Sequence, residues 1–316
     1  MSSQNQGDAP LSKNQRRAAA REKAQAARLK HKRRQRAGKW LLQGGLAVVV
    51  IAIVVGVVLI ITNSIRPAGP GPANMASDGI TIGKDFVAEQ TKALGPDDEP
   101  VTSSSTAASD TVNITVYLDY LCPICGQFEK ANNDYISGLV KSGAATVSYH
   151  PVAILTNQSL GTKYSNRAAN AAACVANYSP DSFFDVNTAL FANQPEEGTA
   201  GLNNDALVKL VTGVDGIQKK SEITTCIKDE EFKSWVTSAT QRAVDGPIPN
   251  SKVDALPGTP LVLVNGQRYQ FSTPFTNEEF RNFVITAAGN SYADNSTGTA
   301  TPNPSDSATP SETPTP

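Results

Sequence analysis

From Val112 to Leu118 apolar side chains fall at every second position, Val112, Ile114, Val116 and Leu118, the period of a strand with one face against a core. The rhythm changes at Cys122. After Pro123, the residues Phe128, Ala131, Tyr135 and Leu139 recur at steps of three and four, which predicts an amphipathic helix. Pro123 suits its first turn, where a missing amide hydrogen has no intrahelical partner to lose. Residues 144–155, AATVSYHPVAIL, predict a second strand that bends near Pro151, and a right-handed crossover leaves the two strands parallel. From about residue 162 the pattern turns helical in YSNRAANAAACVANY, PDSFFDVNTALF, NDALVKLV and CIKDEEFKSWVTSATQRAV. Pieces this short need to pack on one another. After DGPIPNSKV, the stretch PGTPLVLVNGQRYQF reads as a strand, an Asn265-Gly266 turn and a return strand. FTNEEFRNFVITAAG then starts a helix with Thr276 as N-cap, Glu279 completing a capping box and Phe275 facing Phe280 as a staple. The predicted order is β-α-β, helices, β-β-α.

The ends of the chain follow other rules. Residues 40–65, WLLQGGLAVVVIAIVVGVVLIITNSI, carry no ionisable side chain and include a dense Val/Ile/Leu run from Leu46 to Ile61. Roughly 20 helical residues cross about 30 Å of hydrocarbon, so this length predicts one transmembrane helix in contact with lipid. Lys30, Lys32, Arg33, Arg34, Arg36 and Lys39 crowd its N-terminal flank, while Arg66 is the only base soon after it. That asymmetry predicts a cytoplasmic N terminus and an exported body. The apolar run is too long for a cleaved signal peptide, which predicts a retained anchor in the cell membrane. RPAGPGPANMAS reads as a spacer, and the Ser/Thr/Pro-rich stretch from Asn290 has almost nothing to bury and reads as disordered.

Charge is as uneven as hydropathy. The formal charge of -1 conceals 12 of the 28 Lys and Arg in residues 1–39, leaving 16 basic against 27 acidic residues from position 40 onward. A body with an acidic excess is a poor partner for nucleic acid.

Of four cysteines, Cys122 and Cys125 stand in DYLCPICGQFEK, where the first long strand meets its helix. A CxxC pair admits dithiol exchange, half of a zinc site or a structural staple. Exchange needs an accessible thiolate and a second sulfur near enough to resolve a mixed disulfide. Cys122 at the helix mouth meets free amides and the positive end of the helix, and Cys125 follows one turn later. Pro123 and Ile124 between them supply no acid or base. Zinc would draw in Cys174 and Cys226, which are widely separated singles rather than a second close pair. His31 belongs on the other side of the expected membrane, and His150 reads as a packed strand residue. Since an exported compartment permits persistent disulfides, a structural bond between Cys174 and Cys226 is the simplest assignment for them. No GxGxxG or P-loop motif occurs, and neither a cofactor nor a metal is expected.

With DYLCPICGQF as reactive motif and PGTPLVLVNG as a later loop, the body from about Asp78 to Ala288 resembles the DsbA-like thiol-disulfide oxidoreductases, in particular the membrane-tethered kind outside the cytoplasm of actinobacteria. The resemblance implies an α/β, thioredoxin-like fold with an inserted helical domain, here preceded by a single transmembrane helix. It implies a leading strand in DGITIG, a cis bond before Pro260, and a Thr259 backbone that hydrogen-bonds an extended substrate; relatives with a second disulfide also support the Cys174 and Cys226 pairing. Catalysis would rest on Cys122 and Cys125, supported by Pro123, Ile124, Thr259 and Pro260. The implied function is an oxidase that donates disulfides to reduced exported polypeptides and is itself reoxidised by a quinone-linked membrane partner. Reductase or isomerase action, a non-catalytic peptide-binding or chaperone module, and a zinc-binding structural protein are the alternatives. A monomer is the default. Two positions depart from the family pattern: Val116 stands where many relatives carry a buried carboxylate, Asp119 being the nearest acid, and Ile124 stands where the best-known oxidases have histidine. The expected organisation is a basic cytoplasmic tail (1–39), a transmembrane helix (40–65), a spacer (66–77), the first part of a thioredoxin-like domain (78–160), a helical insertion (161–245), the second part (246–289) and a tail (290–316).

Overall fold

The computed structural model describes residues 69–96, 98–101 and 111–297, together with Arg21. The expected cytoplasmic tail, apart from Arg21, and the expected spanning helix at 40–65 lie outside the described residues. Among the described residues no helix is long and apolar enough to cross a membrane.

Five strands form one sheet in the order β1-β3-β2-β4-β5, with β1 at Ile80–Ile82, β2 at Val112–Leu118, β3 at Ala145–Pro151, β4 at Leu261–Val264 and β5 at Gln267–Arg268. Among the described residues only β2 and β3 run parallel, joined by helix α1, Pro123–Ser142, as the crossover requires. β1 lies antiparallel on β3, while β4 lies antiparallel on β2 and is followed by β5. Alternation sorts the side chains of β2 between the two faces of the sheet. Ile114, Val116 and Leu118 enter the main core with Val147, Phe128 and Phe280, whereas Tyr117 joins a smaller cluster with Ile248, Leu261 and Leu263. The β4–β5 turn uses Asn265 and Gly266 at φ 49° and 76°, the left-handed pair that matches strand twist.

The last helix, α7 at Asn277–Thr297, begins at the expected cap: Glu279 N donates to Thr276 Oγ1 at 3.3 Å. The reciprocal half of the capping box does not form, because the Glu279 carboxylate accepts instead from Ser272 N at 3.2 Å. Phe275 and Phe280 both meet Phe128 of α1 edge-on, at 5.6 and 5.3 Å, which fastens α7 to α1. Burying a ring such as Phe128 contributes about 2 kcal/mol. The helix continues past the expected boundary at residue 289 to Thr297, since neither Pro nor Gly occurs at residues 290–297.

Between β3 and β4 lie five helices: α2 (Tyr164–Tyr178), α3 (Phe183–Ala192), α4 (Asn204–Thr212), α5 (Lys220–Asp229) and α6 (Lys233–Asp245). The stretch from Cys226 to Val244, expected as one helix, is two. Glu230 takes a left-handed φ of 49° and caps α5, and the restart is pinned by Asn170 of α2, whose Oδ1 accepts from Phe232 N at 2.8 Å. The expected spacer also differs in its described part. Residues 71–77 lie against the body, with Met75 only 1% exposed and Asn74 Nδ2 donating to Ala176 O at 2.8 Å. One large apolar side chain and one bonding amide are enough to fasten a Pro/Gly-rich segment.

Candidate active site

The end of β2 and the start of α1 bring the CxxC pair to the C-terminal edge of the sheet. Cys122 is the N-cap of α1, with extended backbone at φ -71° and ψ 114°, the region to which a residue before proline is confined. Its thiol donates to Thr259 O at 3.2 Å. The Thr259-Pro260 bond is cis, and the Thr259 backbone lies beside the sulfur. Pro123 is exposed and Ile124 is half-buried against the core. Cys122 is 5% exposed and Cys125, inside the first turn, 1%. Both are free thiols.

Their electrostatics pull in opposite directions. The pKa of Cys122 falls to about 6, chiefly because the Cys125 thiol donates a hydrogen bond to its sulfur. Burial opposes that fall, while the Thr259 side chain and the N–H groups of Cys125 and Ile124 add to it. Cys125 moves well above the thiol range, through burial first and then its bond to, and charge repulsion from, Cys122. One sulfur is therefore set to ionise near neutrality and its neighbour to hold its proton.

Asp119 organises the motif from behind. Its carboxylate is fully buried and accepts from Leu121 N at 2.8 Å and Leu155 N at 2.9 Å, while its carbonyl accepts from Cys122 N at 2.9 Å. Burial raises its pKa, and the hydrogen bonds from Leu121, Leu155 and Ser165 work against that rise. Val116 is a core side chain. The buried acid missed in the sequence is Glu129 on α1, 3% exposed, with its pKa raised to about 7 by burial against an opposing hydrogen bond from the Asn187 side chain. Its spacing from Cys125 was visible, but a glutamate among helical polar residues carries no signal of burial.

Cys174 and Cys226 form a disulfide between α2 and α5 across 52 residues of sequence. Two of the four sulfurs that a zinc site would need are thus joined to each other, and among the described residues no group of three or more His, Cys, Asp or Glu is placed to hold a metal ion. His150 stacks on Tyr117 with ring centroids 4.4 Å apart, and burial lowers its pKa to about 4.

Comparison with known proteins agrees with this geometry. The chain is 31% identical over 127 residues to the serine/threonine-protein kinase PknE of Mycobacterium tuberculosis, a stretch covering 39% of this chain and 22% of the kinase. It therefore spans about a fifth of the length of the curated relatives it matches. Among solved structures it is similar to oxidised DsbA of Mycobacterium tuberculosis, at 28% identity and a TM-score of 0.50, covering 70% of this chain and 100% of that one. It is also similar to reduced DsbG of the same organism, at 29% identity and a TM-score of 0.49, covering 75% and 97%. Residues 101–285, more than half of the chain, match the thioredoxin family, so the chain belongs to that family and is within it a DsbA-like thiol-disulfide oxidoreductase.

Proposed function

We propose that the protein is an oxidase, held in the cell membrane by residues 40–65 with its body outside the cytoplasm, and that it donates disulfides to reduced exported polypeptides. The observation that carries this reading is the opposed ionisation of the two sulfurs, Cys122 near 6 and Cys125 far above it. In the oxidised enzyme a substrate thiolate attacks Cys122 Sγ. The Cys122–Cys125 bond breaks and Cys125 leaves with the electron pair, taking up a proton. A second substrate thiolate then attacks the substrate sulfur of the mixed disulfide, and Cys122 leaves as a stabilised thiolate. The substrate has lost two electrons and two protons, and the enzyme dithiol has gained the electrons. A low-pKa leaving group favours this second step, which is the direction of disulfide donation. Two electrons then pass from the dithiol to a quinone-linked membrane oxidase, which restores the disulfide. Throughout, the Thr259 backbone holds the substrate segment in extended form next to Cys122, and the enzyme acts as a monomer.

The test is a Cys125→Ser protein offered a reduced, unfolded secretory substrate. Cys122 should retain the substrate as a mixed disulfide, seen as a reductant-sensitive adduct. No adduct, together with no oxidation of dithiols by the unaltered protein, leaves a peptide-binding module instead. The reduction potential decides direction: a value close to that of thioredoxin, about -270 mV, assigns the enzyme to reduction.

A further inference from the structure

Helix α3 of the insertion and the turn that follows it present Asn187, Phe191 and Gln194 to the redox motif. Asn187 Oδ1 accepts from the Tyr120 hydroxyl at 3.0 Å, and the ring of Phe191 lies 5.1 Å from that of Tyr120. Gln194, just past the end of the helix, donates from Nε2 to both Tyr120 O at 3.1 Å and Cys122 O at 2.8 Å. The other end of the same amide fills the space beside residue 126. A Cβ there would meet Gln194 Oε1, so a larger residue at 126 would displace the amide from its place. The loop carrying Gln194 is held in turn: Gly198 N donates to Gln158 O at 2.9 Å and Thr162 Oγ1 to Ala200 O at 2.6 Å. Leu155, at the start of that facing segment, donates to Asp119.

We infer that Gln194 is a positioning residue for exchange at Cys122, acting through the backbone of the Tyr120–Cys122 turn. The inference deepens the proposed function and rests on Cys122 being the sulfur that exchanges. Its physical basis is local. A carbonyl oxygen on the residue bearing the sulfur opposes a negative charge on that sulfur, and an N–H bound to the oxygen offsets the opposition. Together with the helix bond from Gly126 N at 3.2 Å, the Gln194 bond holds the orientation of the peptide after Cys122, and with it the direction from which Sγ reaches the N–H groups of Ile124 and Cys125. Thus the insertion, 72 residues away in sequence, tunes the thiolate.

The experiment titrates Cys122 by thiolate absorbance and equilibrates the pair with glutathione, using the reduced full chain in detergent. Gln194→Leu should raise the Cys122 pKa by about half a unit to one unit and weaken oxidation of glutathione by about three- to tenfold. Gln194→Glu, which places an anion against two carbonyls, should raise it further. Asn193→Ala, whose native amide bonds only to Ala189 O within its own helix, should leave both readouts unchanged. Gly126→Ala reaches the same contact from the other side and should shift the pKa upward with Gln194 intact, so the inference stays testable where a Gln194 variant fails to fold. An unshifted Cys122 in folded Gln194→Leu or Gly126→Ala protein overturns it. An ordinary thiol pKa for Cys122 in the unaltered protein is a separate outcome, which overturns the reading of the site beneath it.

Discussion

The two cysteine pairs are nearly equal in burial and opposite in state. Cys125 is 1% exposed, and so is Cys226, yet the first is a free thiol and the second is bonded. What separates the pairs is their place on a helix. Cys122 and Cys125 occupy a helix start, where backbone N–H groups have no carbonyl one turn back and can turn to a sulfur. Cys174 and Cys226 lie inside α2 and α5, among Ala171, Ala173, Val175, Ile223 and Ile227, where the N–H groups are committed to the helix. Donor supply, more than exposure, makes a cysteine a reagent or a strut.

The largest test of that contrast removes each pair in turn. Cys122→Ala should reduce exchange with a dithiol substrate to the uncatalysed rate while leaving the urea midpoint, measured below pH 6 where Cys122 is protonated in both states, close to that of the reduced parent. Cys174→Ala with Cys226→Ala should do the reverse, keeping exchange and losing about 4 kcal/mol, the chain-entropy value for a loop of 52 residues. A folded double variant without exchange activity would make the buried bond a second redox centre and dissolve the contrast.

A finer test uses pH. Alkylation of the reduced native protein should increase through a midpoint of about 6 at Cys122, while Cys174 and Cys226 stay unlabelled until the protein unfolds and is reduced. Ionisation is linked to stability. The folded pKa of Cys122 lies below its unfolded value, so between about 6 and about 9 the unfolded chain binds more protons than the native one. The reduced protein therefore gains stability as pH rises across that window, by at most about 4 kcal/mol, and loses it as pH falls through about 6. Oxidised protein has no Cys122 thiol to titrate and should lack this rise. Urea midpoints of the two redox forms against pH measure the difference.

Much of this was legible because it is local. The alternation from Val112 to Leu118, the helix after Pro123 and the Asn265-Gly266 turn each follow from neighbouring residues, and the structure has them where the pattern puts them. The cis bond at Thr259-Pro260 came from family resemblance, since X-Pro alone leaves the isomer open. What could not be read depends on partners distant in the chain. The break at Glu230 has no Gly or Pro to announce it and is fixed by Asn170, 62 residues away from the Phe232 amide it accepts. Gln194 sits in an ordinary polar turn, and its importance comes from a carbonyl of Cys122 that no sequence pattern points to.

Glu129 gives the smallest expected effect on the redox pair and the sharpest limit on the argument. It shares α1 with Cys125, one turn further on, and is the kind of buried acid that invites a role as proton relay. Yet burial accounts for its raised pKa against an opposing bond from Asn187, and the shifts of Cys122 and Cys125 trace to burial, to each other, to Thr259 and to backbone hydrogen bonds. With a folded pKa near 7 against about 4.5 unfolded, the stability this residue permits is fully present below about 4.5 and is lost as pH rises through 7, at most about 3 kcal/mol. Glu129→Gln should remove that decline, so the variant's stability relative to the parent improves from pH 4 to pH 8, whatever its amide costs at every pH. Cys122 should ionise in the variant as it does in the parent. A Cys122 pKa that moves with Glu129→Gln would mean that charge deep in α1 reaches the site, and donor supply at the helix start would no longer be sufficient to explain the reactive pair.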